Sequence, residues 1–108
     1  MARINIVPAS VNACWQGKRF KTKHYEDYER ELFYQLPKIL IPEGELRVTI
    51  TFGLSSSLAD IDNPIKPFLD ILQKKYGFND KNIFELFVRK TKTLKGDEYI
   101  DFSIVGIN

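Results

Sequence analysis

The segment from residue 45 to residue 54 limits the fold of this chain more than any other stretch of sequence. Its apolar side chains alternate with polar ones, which is the two-residue period of a β-strand buried on one face. Residues 65–76 instead carry apolar side chains at the spacing of one helix face. Pro64 and Pro67 suit that helix only if it begins beside them. A buried strand followed by an amphipathic helix predicts helices packed on a sheet.

The remaining segments extend this pattern in both directions. An alternating stretch opens the chain, a tyrosine-rich helical stripe follows a capping threonine, and two apolar stretches close the chain around a Lys95-Gly96-Asp97 turn. That turn predicts an antiparallel C-terminal β-hairpin. Residues 9–21 show no regular pattern. The predicted strands are 3–7, 45–54, 83–91 and 99–107, and the predicted helices run from Thr22 to Pro37 and from about Pro64 to Tyr76. The expected fold is α+β, in the order β-α-β-α-β-β, with two helices on a mixed sheet.

Length and composition restrict the class of protein. A chain of 108 residues that is 44% hydrophobic is expected to form one domain, spanning 1–108. Cys14 is the only cysteine and His24 the only histidine, which excludes an intrachain disulfide and a Cys/His zinc cage. The sequence contains no apolar run of about 20 residues and no signal-peptide pattern at its N-terminus, so we expect a cytoplasmic protein without a membrane partner.

Two aspartates between the second predicted strand and the second predicted helix suggest a metal site. Asp60 and Asp62 are one residue apart, and in an extended segment their side chains would project the same way. Hard cations such as Mg²⁺ and Mn²⁺ prefer carboxylate and water oxygens, and a cation would turn the repulsion of the pair into attraction. The pair alone is a weak motif, because an aspartate at this place can also simply cap a helix.

Three further residues strengthen the interpretation of this region. Lys66 follows Asp62 by four residues, where it can meet a phosphate at the helix N-terminus, and Asn63 places an amide beside the pair. Asp80 follows the helix and a turn at Gly77, and we expect the helix to return it to the sheet as a third metal ligand. The alternative is an ordinary helix cap followed by an aspartate in a turn.

Two groups of basic residues are candidates for contact with nucleic-acid phosphates. One group lies in the irregular segment before the first helix and the other at the end of the third strand; they are Lys18, Arg19 and Lys21, and Arg89, Lys90 and Lys92. The net charge of +2 by itself does not indicate nucleic-acid binding. The alternative for the first group is a solvated loop.

Read as an ordered set, these residues carry a family resemblance. The sequence Asp60-x-Asp62-Asn63-x-x-Lys66-x-x-x-Asp70-x-Leu72, followed by Gly77 and Asp80 before a strand, closely resembles the RusA family of Holliday junction resolvases, found in bacteria, prophages and phages. The N-terminal half resembles the family through Pro8-x-Ser10-x-Asn12, the basic loop around Lys18-Arg19 and a helix with Tyr25 and Tyr28. Asn79 is a departure, because many relatives have an acidic residue there.

The resemblance implies an activity and a set of roles. It implies a homodimeric Mg²⁺- or Mn²⁺-dependent endodeoxyribonuclease that nicks two strands symmetrically across a four-way DNA junction and uses no nucleotide cofactor. By the same resemblance Asp60, Asp62 and Asp80 are the metal ligands and Lys66 the catalytic lysine, with Asn63 matching the amide of the motif. Asp70 matches the family helix and is interpreted as structural, either a surface or a helix-pairing group.

Two rival interpretations stay open at this point. One is a metal-dependent nuclease acting on flaps or other branched DNA, and the other is a non-catalytic DNA-binding module that keeps the fold. A dimer interface is not visible in the sequence. Phe87 is a candidate for it, because Phe84, Leu86 and Val88 are expected to fill the core face of their strand without it.

Overall fold

The computed structural model describes residues 1–16, 20–56 and 59–107, and it places the strand Leu46–Leu54 in the interior of a helix-covered sheet. Gly17, Lys18, Arg19, Ser57, Leu58 and Asn108 are outside this description. The elements are β1 (Ala2–Ile4), α1 (Val11–Cys14), β2 (Trp15–Gln16), β3 (Phe20–Lys21), α2 (Lys23–Gln35), β4 (Leu46–Leu54), α3 (Ile65–Tyr76), a 3₁₀ turn (Asp80–Asn82), β5 (Ile83–Lys92) and β6 (Tyr99–Gly106).

The main sheet has four strands in the order β1-β6-β4-β5. β5 runs parallel to β4, while β6 runs antiparallel to both β4 and β1, so the sheet is mixed. The alternating apolar residues of β4 are all buried on the face that α2 and α3 cover, as the sequence predicted. The chain is therefore a single α+β domain with the expected succession of main elements.

The C-terminal hairpin is the part of the predicted topology that differs. β5 and β6 are antiparallel and follow one another through a turn at Gly96, but β4 lies between them and pairs with each. The connection therefore crosses the end of β4, where the backbone N–H of Thr93 donates to the carbonyl oxygen of Leu54 over 2.9 Å. β4, whose apolar side chains are all buried, thus pairs with a strand along each of its two backbone edges.

The N-terminal region also differs from the prediction in detail. The first strand is Ala2–Ile4 rather than residues 3–7, and the segment expected to be irregular contains α1 and the small β2–β3 ribbon. Thr22 caps α2 as predicted: its hydroxyl accepts from the Tyr25 N–H over 3.2 Å and donates to the Ala13 carbonyl over 2.7 Å. This one residue thereby joins the ribbon and α1 to the start of α2.

Aromatic packing joins α3 to the sheet. The Phe68 ring on α3 is fully buried and meets Phe52 of β4 and Phe102 of β6 edge to face, with centroids 6.0 and 5.6 Å away. Ile71 and Leu72, one turn further along α3, are also fully buried. This contact fixes α3 over the centre of the sheet, and with it the position of the loop that precedes the helix.

A glycine on β4 lets a tyrosine cross the open face of the sheet. A Cβ at Gly53 would overlap ring carbons of Tyr99, whose hydroxyl lies 2.8 Å from the Thr91 hydroxyl on the far side of β4. The Arg3 guanidinium covers the same ring at 3.9 Å from its centroid. The ring is held on both sides and has little room to move.

Gly53→Ala should therefore destabilise the fold by about 1–3 kcal/mol, the usual cost of overpacking. Urea unfolding at equilibrium measures the change. In a Tyr99→Ala background the same substitution should cost much less, because the overlapping ring is gone. An equal cost in both backgrounds would show that the Tyr99 ring does not explain the glycine.

The packing of β5 corrects one further expectation. Val88 and Ile83 pack against the core, but Phe84 and Leu86 are exposed along with Phe87. The strand lies at the edge of the sheet, and its pairing with β4 has a register shift at its start, where Leu46 pairs with Ile83 and Arg47 with Glu85. Membrane crossing would need a far longer apolar helix than any found in the described ranges, the longest of which, α2, has 13 residues.

Candidate metal centre and nucleic-acid interface

The loop before α3 holds the first two predicted metal ligands in consecutive turns. The Asn63 N–H donates to the Asp60 carbonyl oxygen and the Ile65 N–H to the Asp62 carbonyl oxygen, each over 3.2 Å. The expected extended segment is therefore a turn, which Pro64 (φ −86°, ψ −5°) leads directly into the helix. Both carboxylates are exposed at the N-terminal end of α3.

Two distant parts of the chain hold this loop in place. On one side, the Val11 N–H at the start of α1 donates to the Asn63 carbonyl oxygen over 2.8 Å. On the other, the Lys90 ammonium near the end of β5 donates to the Ala59 carbonyl oxygen over 2.6 Å. The aspartate pair is thus positioned by the rigid sheet as well as by α3, which suits a site that must hold its ligands in a fixed geometry.

The chemistry of the pair fits a hard divalent cation. Within the described ranges, the side chains of Asp60 and Asp62 form no hydrogen bond or ion pair with another residue. Two unpaired carboxylates at a loop near a helix N-terminus match the usual protein share of a Mg²⁺ site, which is one or two carboxylates completed by water and substrate phosphate. The N–H groups of the first turn lack a side-chain cap and present a positive dipole end to the same place.

Lys66 projects from the first turn of α3 and is mostly exposed. Its ammonium lies 3.4 Å from the Asp70 carboxylate, one turn along the helix, which confirms Asp70 as a helix-pairing group. An exposed pair of this kind is weak, and an ammonium has three N–H donors, so Lys66 remains available to a phosphate. Asn63 contributes through its backbone: its N–H and carbonyl oxygen both serve to hold the loop.

Asp80 lies at the other end of α3. The helix has 12 residues and spans about 18 Å, and it separates Asp80 from Asp62. Asp80 is fixed there by its N–H, which donates to the Gln73 side-chain oxygen over 2.9 Å, just before β5 begins beside Leu46 at the start of β4. The expectation that the helix brings Asp80 back to the pair is therefore wrong within one subunit.

The described residues accordingly contain no group of three acidic, histidine or cysteine side chains able to hold a metal ion. The reason is the parallel β4-α3-β5 connection. A helix between two parallel strands starts near the C-terminal end of the first strand and ends near the N-terminal end of the second, at the opposite end of the sheet. The assignment of the three aspartates as metal ligands stays a prediction.

The predicted phosphate contacts divide between several parts of the molecule. Lys18 and Arg19 lie outside the described residues. Lys21 lies beside α2 and α3, where the neighbouring Lys74 ammonium lowers its pKa and the Tyr25 ring lies 5.0 Å from its ammonium. Arg89, Lys90 and Lys92 are exposed at the end of β5, and Lys90 reaches the loop that carries Asp60.

The structure therefore brings together Asp60, Asp62, Asn63, Lys66 and Lys90 at one end of the molecule. Sequence reasoning did not assign a role to α1, which supports this end. The signal was present in Ser10, whose hydroxyl accepts from the Asn12 N–H over 3.2 Å and begins the helical turn.

The chain matches no protein-family model and no curated protein. The family resemblance thus rests on the quoted residues of this chain alone.

Proposed function

We propose that this protein is a Mg²⁺-dependent endodeoxyribonuclease that resolves four-way DNA junctions by paired phosphodiester hydrolysis. The observation that carries the proposal is the exposed Asp60–Asp62 pair, whose carboxylates have no partner among the described residues and whose loop is held by α1 and β5 beside the N-terminus of α3. A purely structural loop gains nothing from two neighbouring carboxylates without a partner, since their repulsion costs free energy.

The chain's own residues supply distinct parts of the hydrolysis. Mg²⁺, or Mn²⁺ in its place, supplies water activation and charge neutralisation when it is bound by the aspartates. The water oxygen forms a bond to phosphorus, and the bond from phosphorus to the leaving sugar oxygen breaks. Lys66 stabilises the charge that develops on that oxygen and can hand it a proton. The first-turn N–H groups of α3 attract the phosphate to this place.

The symmetry of the proposed reaction implies an oligomeric state. Two symmetric cuts across a four-way junction need two active sites related by a two-fold axis, so the proposal includes a homodimer. Lys90 contacts the loop that carries the aspartates, and it belongs to a basic group at the end of β5 that suits the backbone of a branched DNA. The proposal includes a location in the cytoplasm of a bacterial or phage-infected cell, with which the free, buried Cys14 is compatible because that compartment is reducing.

A cleavage panel tests the proposal. Labelled four-way junction, flap and linear duplex DNA of equal length are incubated with the protein at one salt concentration, with Mg²⁺, Mn²⁺ or EDTA. We expect paired nicks in the junction with either metal and none with EDTA. Preferred cutting of the flap would assign the protein to a nuclease of other branched DNA. Absence of product from every substrate with both metals would reject a nuclease.

One observation favours a second candidate, a non-catalytic DNA-binding module. The described part of a single subunit does not assemble three metal-binding carboxylates. Such a module would bind the junction equally well with Mg²⁺ or EDTA and would give no product. Binding and cleavage measured on the same junction therefore separate the two candidates.

The basic residues of β5 give a prediction about DNA affinity. Arg89→Glu with Lys92→Glu should weaken junction binding to a similar extent for every DNA sequence and flatten the dependence of log K on log salt concentration, because each phosphate contact releases counterions. Lys90 is left intact, since it also holds the Asp60 loop. Lys38→Glu, at an exposed lysine after α2, is the control. An unchanged salt slope would assign Arg89 and Lys92 to solvated surface.

A further inference from the structure

The Lys90 side chain reaches the backbone of the loop that carries the two aspartates. Side chains of β5 alternate between the two faces of the sheet, and Lys90 lies on the same face as Val88, which packs against the helical core. On this face the Lys90 ammonium donates to the Ala59 carbonyl oxygen over 2.6 Å, short enough for a strong charge-assisted hydrogen bond. Arg89 belongs to the opposite face by the same alternation. Lys90 is therefore directed at the protein itself, whereas Arg89 is directed away from the helical layer.

The chain is held on both sides of the aspartate pair. Before the pair, the Ala59 carbonyl oxygen accepts from Lys90; after it, the Asn63 carbonyl oxygen accepts from the Val11 N–H over 2.8 Å. The second contact joins backbone to backbone, so it does not depend on the side chain of Val11. The first contact depends on a side chain. A substitution of Lys90 therefore removes one anchor and leaves the other in place.

The hydrogen-bonding needs of the ammonium do not explain this contact. Lys90 is exposed, so water could satisfy its three N–H groups with a smaller loss of rotamer entropy. The Ala59 side chain packs against the core, and with the Lys90 contact it fixes the point from which the chain enters the turn at Asp60. Such a fixed backbone suits metal ligands, because a displacement of about 1 Å can cost about 100-fold in rate. A Lys90 ammonium that moved to a DNA phosphate would leave the Ala59 carbonyl oxygen without this donor.

We propose that Lys90 is a positioning residue for the metal centre: by holding the Ala59 carbonyl oxygen it fixes the place of the Asp60 carboxylate. The inference rests on the proposed function for the role of the aspartates. It divides the basic group at the end of β5 between two tasks. Arg89 and Lys92 contribute to DNA affinity, and Lys90 contributes to the rate of cleavage.

A comparison of cleavage rate with DNA affinity tests this assignment. Lys90→Met keeps the apolar stem of the side chain and removes the donor. Single-turnover cleavage at saturating junction and Mg²⁺ should fall about 10–100-fold. The slope of log K against log salt concentration for junction binding should stay at the wild-type value. Lys92→Met should instead flatten that slope by about one. Lys38→Met, at an exposed lysine after α2, should change neither quantity.

Amide hydrogen exchange, followed by NMR in the metal-free protein, gives a readout that does not need cleavage. The N–H groups of Asn63 and Ile65 close the turns of the loop, so they should exchange about fivefold faster in Lys90→Met than in the wild-type protein. The N–H of Ile50, in the middle of β4, should exchange at the wild-type rate, because the loss of the anchor is local.

The outcomes separate this inference from the proposed function. Wild-type cleavage by Lys90→Met together with a flattened salt slope would make Lys90 a phosphate contact and overturn the proposal. If the wild-type protein cuts no DNA, the proposed function fails, and the exchange rates alone decide whether Lys90 anchors the loop. Faster exchange at Asn63 then supports the anchor, and unchanged exchange overturns it.

Discussion

Asp62→Asn is expected to abolish junction cleavage while it leaves junction binding intact or makes it tighter. The substitution removes one of the two carboxylates that would hold the cation and keeps the shape of the side chain. Loss of about 4 kcal/mol of transition-state stabilisation lowers the rate about 10³-fold, since each 1.36 kcal/mol is a factor of ten. Binding is spared because one negative charge fewer faces the DNA phosphates. Single-turnover cleavage and a gel-shift titration on the same junction measure both effects.

The matched control is Asp97→Asn, which neutralises an exposed aspartate in the turn between β5 and β6. It should cleave at the wild-type rate. Asp60→Asn and Asp80→Asn should behave as Asp62→Asn does. Normal cleavage by Asp62→Asn would remove the aspartate pair from the chemistry.

Phe68→Ala is expected to be the most destabilising single change in the fold. The ring is fully buried between Phe52 and Phe102, so its removal forfeits the transfer free energy of the side chain and leaves a cavity between α3 and the sheet. The expected cost is about 3–5 kcal/mol. Because a domain of this size is stable by only about 5–15 kcal/mol, much of the chain should be unfolded at 37 °C. Chemical denaturation at 25 °C measures the loss.

Tyr34→Ala provides the control, because it removes an aromatic ring of similar size from the exposed face of α2. Its effect should stay within about 0.5 kcal/mol. A loss below about 1 kcal/mol for Phe68→Ala would mean that the contacts of α3 with the sheet contribute far less than full burial implies.

The local elements of this fold could be predicted because each has a strong local cause. The apolar side chains of β4 alternate with polar ones because only one face of the strand packs against the helical layer. The predicted bounds of β4 are correct within one residue. Thr22 caps α2 through its hydroxyl, and Gly77 ends α3 in the left-handed region at φ +72°. These signals act over a few residues and are visible in the sequence itself.

Strand order and the position of Asp80 depend on distant partners and could not be predicted in the same way. A turn at Gly96 is equally compatible with a hairpin and with a connection that crosses β4. In the structure β4 pairs with β5 along one backbone edge and with β6 along the other, so the turn belongs to a connection that crosses β4. Once β5 is parallel to β4, α3 must run back along the strands and end at the end of the sheet opposite to Asp60. The spacing from Asp62 to Asp80 contains no information about that direction.

The central claim is that the Asp60–Asp62 loop makes this protein a metal-dependent nuclease of branched DNA. The most direct measurement is cleavage of a labelled four-way junction by the wild-type protein and by Asp62→Asn, each with Mg²⁺ or EDTA, with the cut sites mapped on all four strands. The account predicts symmetric cuts on two opposing strands for the wild-type protein with Mg²⁺ and no product in the other three reactions. Cleavage that persists in EDTA or in Asp62→Asn would contradict it.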